Sequence, residues 1–170
     1  MSTDLSADDS HWPIEDSGFL RLIVASDEEQ PYHGGRIRLL LLELYRAGMI
    51  LTWLLDGLPD RVFEEGARHP DVVAAVARQA EQDHARGASG ESRYHNRTFA
   101  EEFEVSIHLH PHVTRVTDDL GNLYAHPRSQ SSGYRVMRGM VHVRPALHPD
   151  ARRLTIEIGA ATFELEIGAT

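Results

Sequence analysis

Between Arg36 and Leu55 the chain carries two apolar runs, Ile37 to Tyr45 and Met49 to Leu55, separated only by Arg46-Ala47-Gly48. A three-residue connection ending in glycine suits two antiparallel strands, with the glycine taking a positive φ at the bulge. Both runs are apolar at successive positions, so neither strand has a polar face to leave in water. One face would meet an opposing sheet and the other needs a cover. Glu43, Arg46 and Asp56 interrupt the stretch from Leu39 to Leu58, and each charge near a bilayer centre costs about 2.5–3.5 kcal/mol or more, so it reads as a buried hairpin and not a membrane span.

Strand patterns recur on either side. Leu20, Leu22 and Val24 alternate with Phe19, Arg21 and Ile23, until Asp27-Glu28-Glu29 ends the run. Phe103, Val105, Ile107 and Leu109 alternate with Glu104, Ser106, His108 and His110, the cleanest period-two pattern in the chain. Val113 to Thr117, Leu123-Tyr124 and Tyr134 to Val143 follow. A closing hairpin joins Leu154, Ile156 and Ile158 to Phe163, Leu165 and Ile167 through Gly159-Ala160-Ala161. One helix is expected at about residues 70–86: Pro70 and Asp71 mark its start, Gly87 its stop, and Val72, Val76 and Ala80 with Val73 and Ala77 give it an apolar stripe. Ala88 to Thr98 and His126 to Gly133 read as loops. Seven to nine short strands and one inserted helix predict a mainly β fold of two antiparallel sheets packed face to face. Residues 1–17 form an acidic, flexible N-terminal segment, and 18–170 form one β-sandwich domain with a helix and loop insertion at about 59–100.

The last third adds a resemblance. Val116-Thr117-Asp118-Asp119-Leu120-Gly121-Asn122-Leu123-Tyr124, a Ser/Gly-rich loop, Arg138-Gly139, Pro145 and Pro149-Asp150-Ala151-Arg152-Arg153-Leu154 together resemble the C-terminal half of immunoglobulin-like sandwich domains found in many uncharacterised bacterial proteins. Those domains carry an Asp-x-x-Gly-Asn-x-Tyr turn ahead of a Phe-x-Pro and Leu-x-Leu strand pair. Here Val143 stands where the pattern has Phe. The resemblance covers about residues 113–167 and implies an immunoglobulin-like fold and an interaction module, with no catalytic residue to carry over.

Composition narrows the chemistry. All 17 basic side chains are arginine and there is no cysteine, which removes Schiff-base and phosphate-loop lysines, thiolate nucleophiles, disulfides and cysteine metal sites. Arginine in place of lysine is also what a coding sequence rich in G and C produces. The net charge is −9, with eight of the 26 acidic groups but one arginine in residues 1–30, so the remainder lies close to neutral. Without a basic run, nucleic acid and anionic membrane are not expected partners. Met1 to Ser10 has acid where a signal peptide carries base, which leads us to expect a cytoplasmic chain.

What remains is histidine, carboxylate, serine and arginine. Eleven histidines include His108, His110 and His112. On an extended strand, residues two apart share a face, so His108 and His110 would hold one Zn²⁺ or another divalent transition ion between them, with His112 or a neighbouring carboxylate as third ligand. The competing reading is three exposed polar positions, with Pro111 unsuited to a central strand. Asp118, Asp119 and Asn122 lack the ligand spacing of a calcium loop and read as a turn. Glu101, Glu102 and Glu104 have no fixed partner across a pocket, and Ser129, Ser131 and Ser132 lack a nucleophile elbow. Arg36 and Arg38, on one strand face, either pair with carboxylates or meet an anionic ligand in a cleft under the helix. Trp53 is expected in the core and Trp12 to dock on the body or a partner. The first expectation is therefore a module without enzymatic activity or cofactor, working through protein contacts and forming a homodimer. A metal-binding protein or metal-dependent hydrolase built on His108, His110 and His112 is the second, and a binder of a small anionic ligand the third.

Overall fold

A computed structural model describes residues 14–25 and 28–168. The hairpin forms as its sequence predicts: β3 (Gly35–Tyr45) and β4 (Met49–Asp56) pair antiparallel, with Ile37 opposite Leu55 and Leu42 opposite Leu51. Strand β1 (Phe19–Val24) and the short β2 (Glu29–Tyr32) both pair with β3, while β7 (Met137–Arg144) pairs with β4 and β6 (Ala125–Ser132) closes the far edge. This six-stranded sheet runs β1-β3-β4-β7-β6, with β2 beside β1 on the edge of β3. A second sheet of three strands has the order β5-β8-β9, from β5 (Val113–Asp118), β8 (Arg153–Ile158) and β9 (Ala161–Glu166). Every pairing is antiparallel.

The inner face of the large sheet, including Ile37, Leu42, Leu51, Trp53, Leu55, Met137 and Val141, shares one core with Leu154, Ile156, Ile158 and Phe163 of the small sheet. The outer face is covered too. Ile14, fully buried in a 3-10 turn (Ile14–Ser17), packs with Tyr45, Ile50 and Met140, and burying such a side chain is worth about 1.5–3 kcal/mol. Ser17 Oγ donates to the Ile14 carbonyl at 2.6 Å and accepts the Ala47 amide at 3.0 Å, which fastens this turn to the hairpin loop. Residues 14–17 are thus an ordered part of the body and not the end of a flexible segment; the rest of the expected flexible stretch lies outside the described residues. Gly48 is needed for space and not for a positive φ: a Cβ there would lie 2.5 Å from the Val143 carbonyl oxygen and 2.9 Å from Ile14 Cδ1.

The insertion departs most from expectation. It spans three helices and not one: α1 (Asp60–Ala67), α2 (Pro70–Ala85) and α3 (Gly90–Leu109). Helix α2 starts at Pro70 and is followed by Gly87 at φ +66°, as its sequence signals require. The predicted strand at 103–110 and the predicted loop at 88–98 are both replaced by α3. Ser89 caps it by accepting the Ser92 amide at 3.2 Å, and Pro111 ends it, since the residue before proline leaves the helical region. The four apolar residues that alternate in sequence split into two helical stripes. Val105 and Leu109 are buried, whereas Phe103 and Ile107 are exposed with Phe99. Residues two apart share a face on a strand, but on a helix residues four apart do, which pairs 103 with 107 and 105 with 109.

Helix packing is close. A Cβ on Gly66 of α1 would come within 2.9 Å of Val105 Cγ1 on α3. Asp83 of α2 is buried against α3, where its Oδ1 accepts from Gln79 Nε2 at 3.0 Å and Asn96 Nδ2 at 2.8 Å. The predicted loop at His126 to Gly133 is the edge strand β6; an edge needs backbone pairing on one side only, so a serine-rich run with one proline suffices. Among the described residues no helix is long and apolar enough to cross a membrane.

Trp53 lies across Gly139 of β7, where a Cβ would stand 2.1 Å from the indole Cζ2. Because backbone and a fully buried indole both have to shift, Gly139→Ala should lower the unfolding free energy by about 1–3 kcal/mol or more in chemical denaturation, with the denaturant slope unchanged.

Candidate functional site

The end of α3 and the edge strand β6 form a histidine-centred cleft. His110, the cap residue of α3, sits against the Trp53 ring at 5.3 Å and the His112 ring at 5.0 Å. Ser129 and Ser131, two apart on β6, share a face, and their hydroxyls reach His110 Nε2 at 2.9 Å and Nδ1 at 2.6 Å. A neutral imidazole donates to one hydroxyl and accepts from the other. Burial, and then the neighbouring His112, hold the His110 proton affinity below its ordinary 6.5, so the neutral form prevails at pH 7. The adjoining cavity, about 290 Å³, is lined by Phe103, Ile107, Ser106 and Gln130 beside these groups. An imidazole between two hydroxyls is competent as a base. The described residues lining the cavity include Ser106, Gln130 and Ser131 as further hydrogen-bonding groups.

The three histidines singled out by sequence therefore fall into two places. His110 and His112 belong to this cleft. His108, one residue inside α3, packs its ring against His69, centroids 4.0 Å apart, and not against His110. The expected strand geometry for His108 and His110 is overturned because the segment is helical, and residues two apart on a helix point about 200° apart. His69 is the N-cap of α2, and Asp71 lies in that helix's first turn; their ligand atoms and those of His108 all lie within 4.8 Å of one another. His69-Pro70-Asp71 is legible in sequence as a helix start. Its meeting with His108 depends on α2 and α3 packing antiparallel, which a strand reading of 103–110 hides.

Arg36 and Arg38 form a four-charge network on the outer face of β3. Arg36 reaches Glu29 at 3.2 Å and Asp56 at 3.5 Å, and Arg38 reaches Glu29 at 3.4 Å and Asp56 at 3.2 Å. Both guanidiniums are thus engaged by carboxylates, the first of the two readings their strand position allows. Trp12 lies outside the described residues. Asp118 also has its role filled within the fold: Oδ1 accepts the Leu120 and Asn122 amides at 3.0 and 2.8 Å, and Oδ2 accepts Asn122 Nδ2 at 2.8 Å and the Tyr124 hydroxyl at 2.7 Å. Burial raises its proton affinity, but these four donors outweigh burial and hold it below the ordinary carboxylate value. Burial and the Asp118 bond push the Tyr124 hydroxyl up to about 12. The Asp-x-x-Gly-Asn-x-Tyr run is a carboxylate-pinned turn.

The depressed His110 value has a stability consequence of definite sign. As pH falls below 6.5 the unfolded chain takes up a proton at this position before the folded chain does, so stability is full above 6.5 and declines below it. Urea midpoints between about pH 7.5 and about pH 5.5 should fall in the wild type and fall less in His110→Gln, which keeps hydrogen-bonding capacity without titrating.

No family model, curated protein or solved structure matches the chain, and the immunoglobulin-like resemblance stands on residues 113–167 alone.

Proposed function

We propose that this protein is a module without enzymatic activity that works through protein contacts, and that its first partner is a second copy of itself joined through β1. The observation that carries this reading is the composition of that edge. Phe19, Leu20, Leu22 and Val24 are 56%, 58%, 47% and 73% exposed on a strand whose far side has no partner among the described strands. Natural edge strands are guarded by charge, proline or coverage. The opposite edge follows that rule, with Pro127 and a run of serines in β6, and β2 carries Glu29 and Pro31. In β1 the one charge, Arg21, reaches toward Gly168 beside the small sheet.

Antiparallel pairing of β1 with itself is self-complementary. Centred on Leu22, it sets Leu20 opposite Val24 and Arg21 opposite Ile23, an apolar ladder that gives each copy the same contacts. A stable interface needs about 800 Å² from each partner, more than one six-residue edge supplies. The adjacent apolar cavity of about 400 Å³, lined by Leu20, Leu44, Tyr45, Leu147, Pro149 and Ile167, extends the contact surface and receives side chains from the partner.

Sedimentation of the full chain tests this. The wild type should run as a dimer and Leu22→Lys, which places the usual edge guard at an already exposed position, as a monomer with an unchanged circular dichroism spectrum. A wild type that is monomeric up to high micromolar concentration overturns the proposal, as does a Leu22→Lys variant that stays dimeric.

A further inference from the structure

We propose that His69, Asp71 and His108 bind one divalent transition ion of the zinc class, at a site independent of the β1 edge. The placement follows from topology. Helices α2 and α3 are consecutive and packed antiparallel, so the first turn of α2 lies beside the last turn of α3. The first turn supplies His69 and Asp71, and the last turn supplies His108.

The backbone under each donor is fixed. The His69 amide donates to the Gly66 carbonyl at 2.9 Å and its own carbonyl accepts the Val73 amide at 3.0 Å, while the His110 amide closes the end of α3 on the Ile107 carbonyl at 3.3 Å. The side chains themselves are exposed and turn without displacing core atoms. A tetrahedral ion with donors at about 2.0–2.1 Å sets them roughly 3.4 Å from one another. The present spacing, within 4.8 Å, therefore closes by rotation about side-chain bonds, with the two rings already 4.0 Å apart and tilted by 42°. The interactions given up are small: the Asp71 amide reaches His69 Nδ1 at a long 3.4 Å, and the Asp71 carboxylate stands 3.6 Å from the same nitrogen, where the ion replaces that contact.

The donor set names the ion. Two imidazoles and one carboxylate suit Zn²⁺, Co²⁺, Ni²⁺ or Cu²⁺, whereas Ca²⁺ and Mg²⁺ require oxygen shells that this cluster does not offer. Three protein ligands leave a fourth position for water or for a donor from another molecule. Bound there, the ion ties the start of α2 to the end of α3.

The test uses full-length protein without a histidine tag, freed of metal by chelator, titrated with ZnCl₂ in a calorimeter and with CoCl₂ by visible absorption. We expect one ion per chain. His108→Ala and His69→Ser should each weaken binding about tenfold or more. Serine keeps an N-capping oxygen on α2, so in that variant a loss of affinity reports the ligand and not the helix end. Asp71→Asn should weaken binding less, and His110→Ala and His112→Ala should bind as the wild type does. Melting curves without metal establish that each variant is folded. The absence of saturable binding overturns the proposal. So does binding that survives both His69→Ser and His108→Ala, or binding that is lost equally in His110→Ala.

Discussion

A hairpin buried along much of both of its faces dictates the rest of the molecule. Leu39, Leu42, Leu51, Trp53 and Leu55 on one side of β3 and β4, and Tyr45, Ile50 and Thr52 on the other, are all withdrawn from water. A sheet apolar on both sides must be the middle layer of something. The small sheet and the helices supply one cover and Ile14 with its 3-10 turn supplies part of the other. Two of the close approaches without room for a Cβ, at Gly48 and Gly139, occur where these layers press on the hairpin or its neighbour β7. At Gly48 the obstacle is the Val143 carbonyl oxygen together with Ile14, and at Gly139 it is the Trp53 indole.

The hairpin, the start and stop of α2, the closing pair β8 and β9 and the Asp118 turn are legible in sequence because each is a local signal: an apolar run, a cap, a turn with an acceptor and donors a few residues apart. Helix α3 is not. Phe103, Val105, Ile107 and Leu109 satisfy a strand template perfectly, and only the burial of 105 and 109 without 103 and 107 distinguishes the helix. That difference is tertiary, since it depends on Gly66 of α1 allowing Val105 to approach. Strand β6 is hidden for the opposite reason: its pairing is all backbone, and Ser129, Gln130, Ser131 and Ser132 announce nothing about it.

The helix that stands in place of the expected strand also rearranges the candidate sites. Histidines 108, 110 and 112 are one cluster in sequence but two places in space, because a helix end at Leu109 turns His108 toward α2 and leaves His110, with His112, to β6. Their partners, His69 and Asp71 in one case and Ser129 and Ser131 in the other, come from segments about twenty to forty residues distant, and no spacing rule spans such distances without the fold. The arginines fared better: alternation alone placed Arg36 and Arg38 on one face, where carboxylates from β2 and β4 meet them.

The two ends of the large sheet differ in a way that limits how copies can add to one another. One end exposes leucine and valine along its free side, and the other is closed by proline and serine. Growth of a sheet into a filament needs two receptive ends on every unit, so that each addition leaves a new place to add. A large sheet with one apolar free edge offers one such place per molecule. If copies of the chain join through β1 as proposed, the polar edge of β6 offers the large sheet no second apolar strand on which to extend.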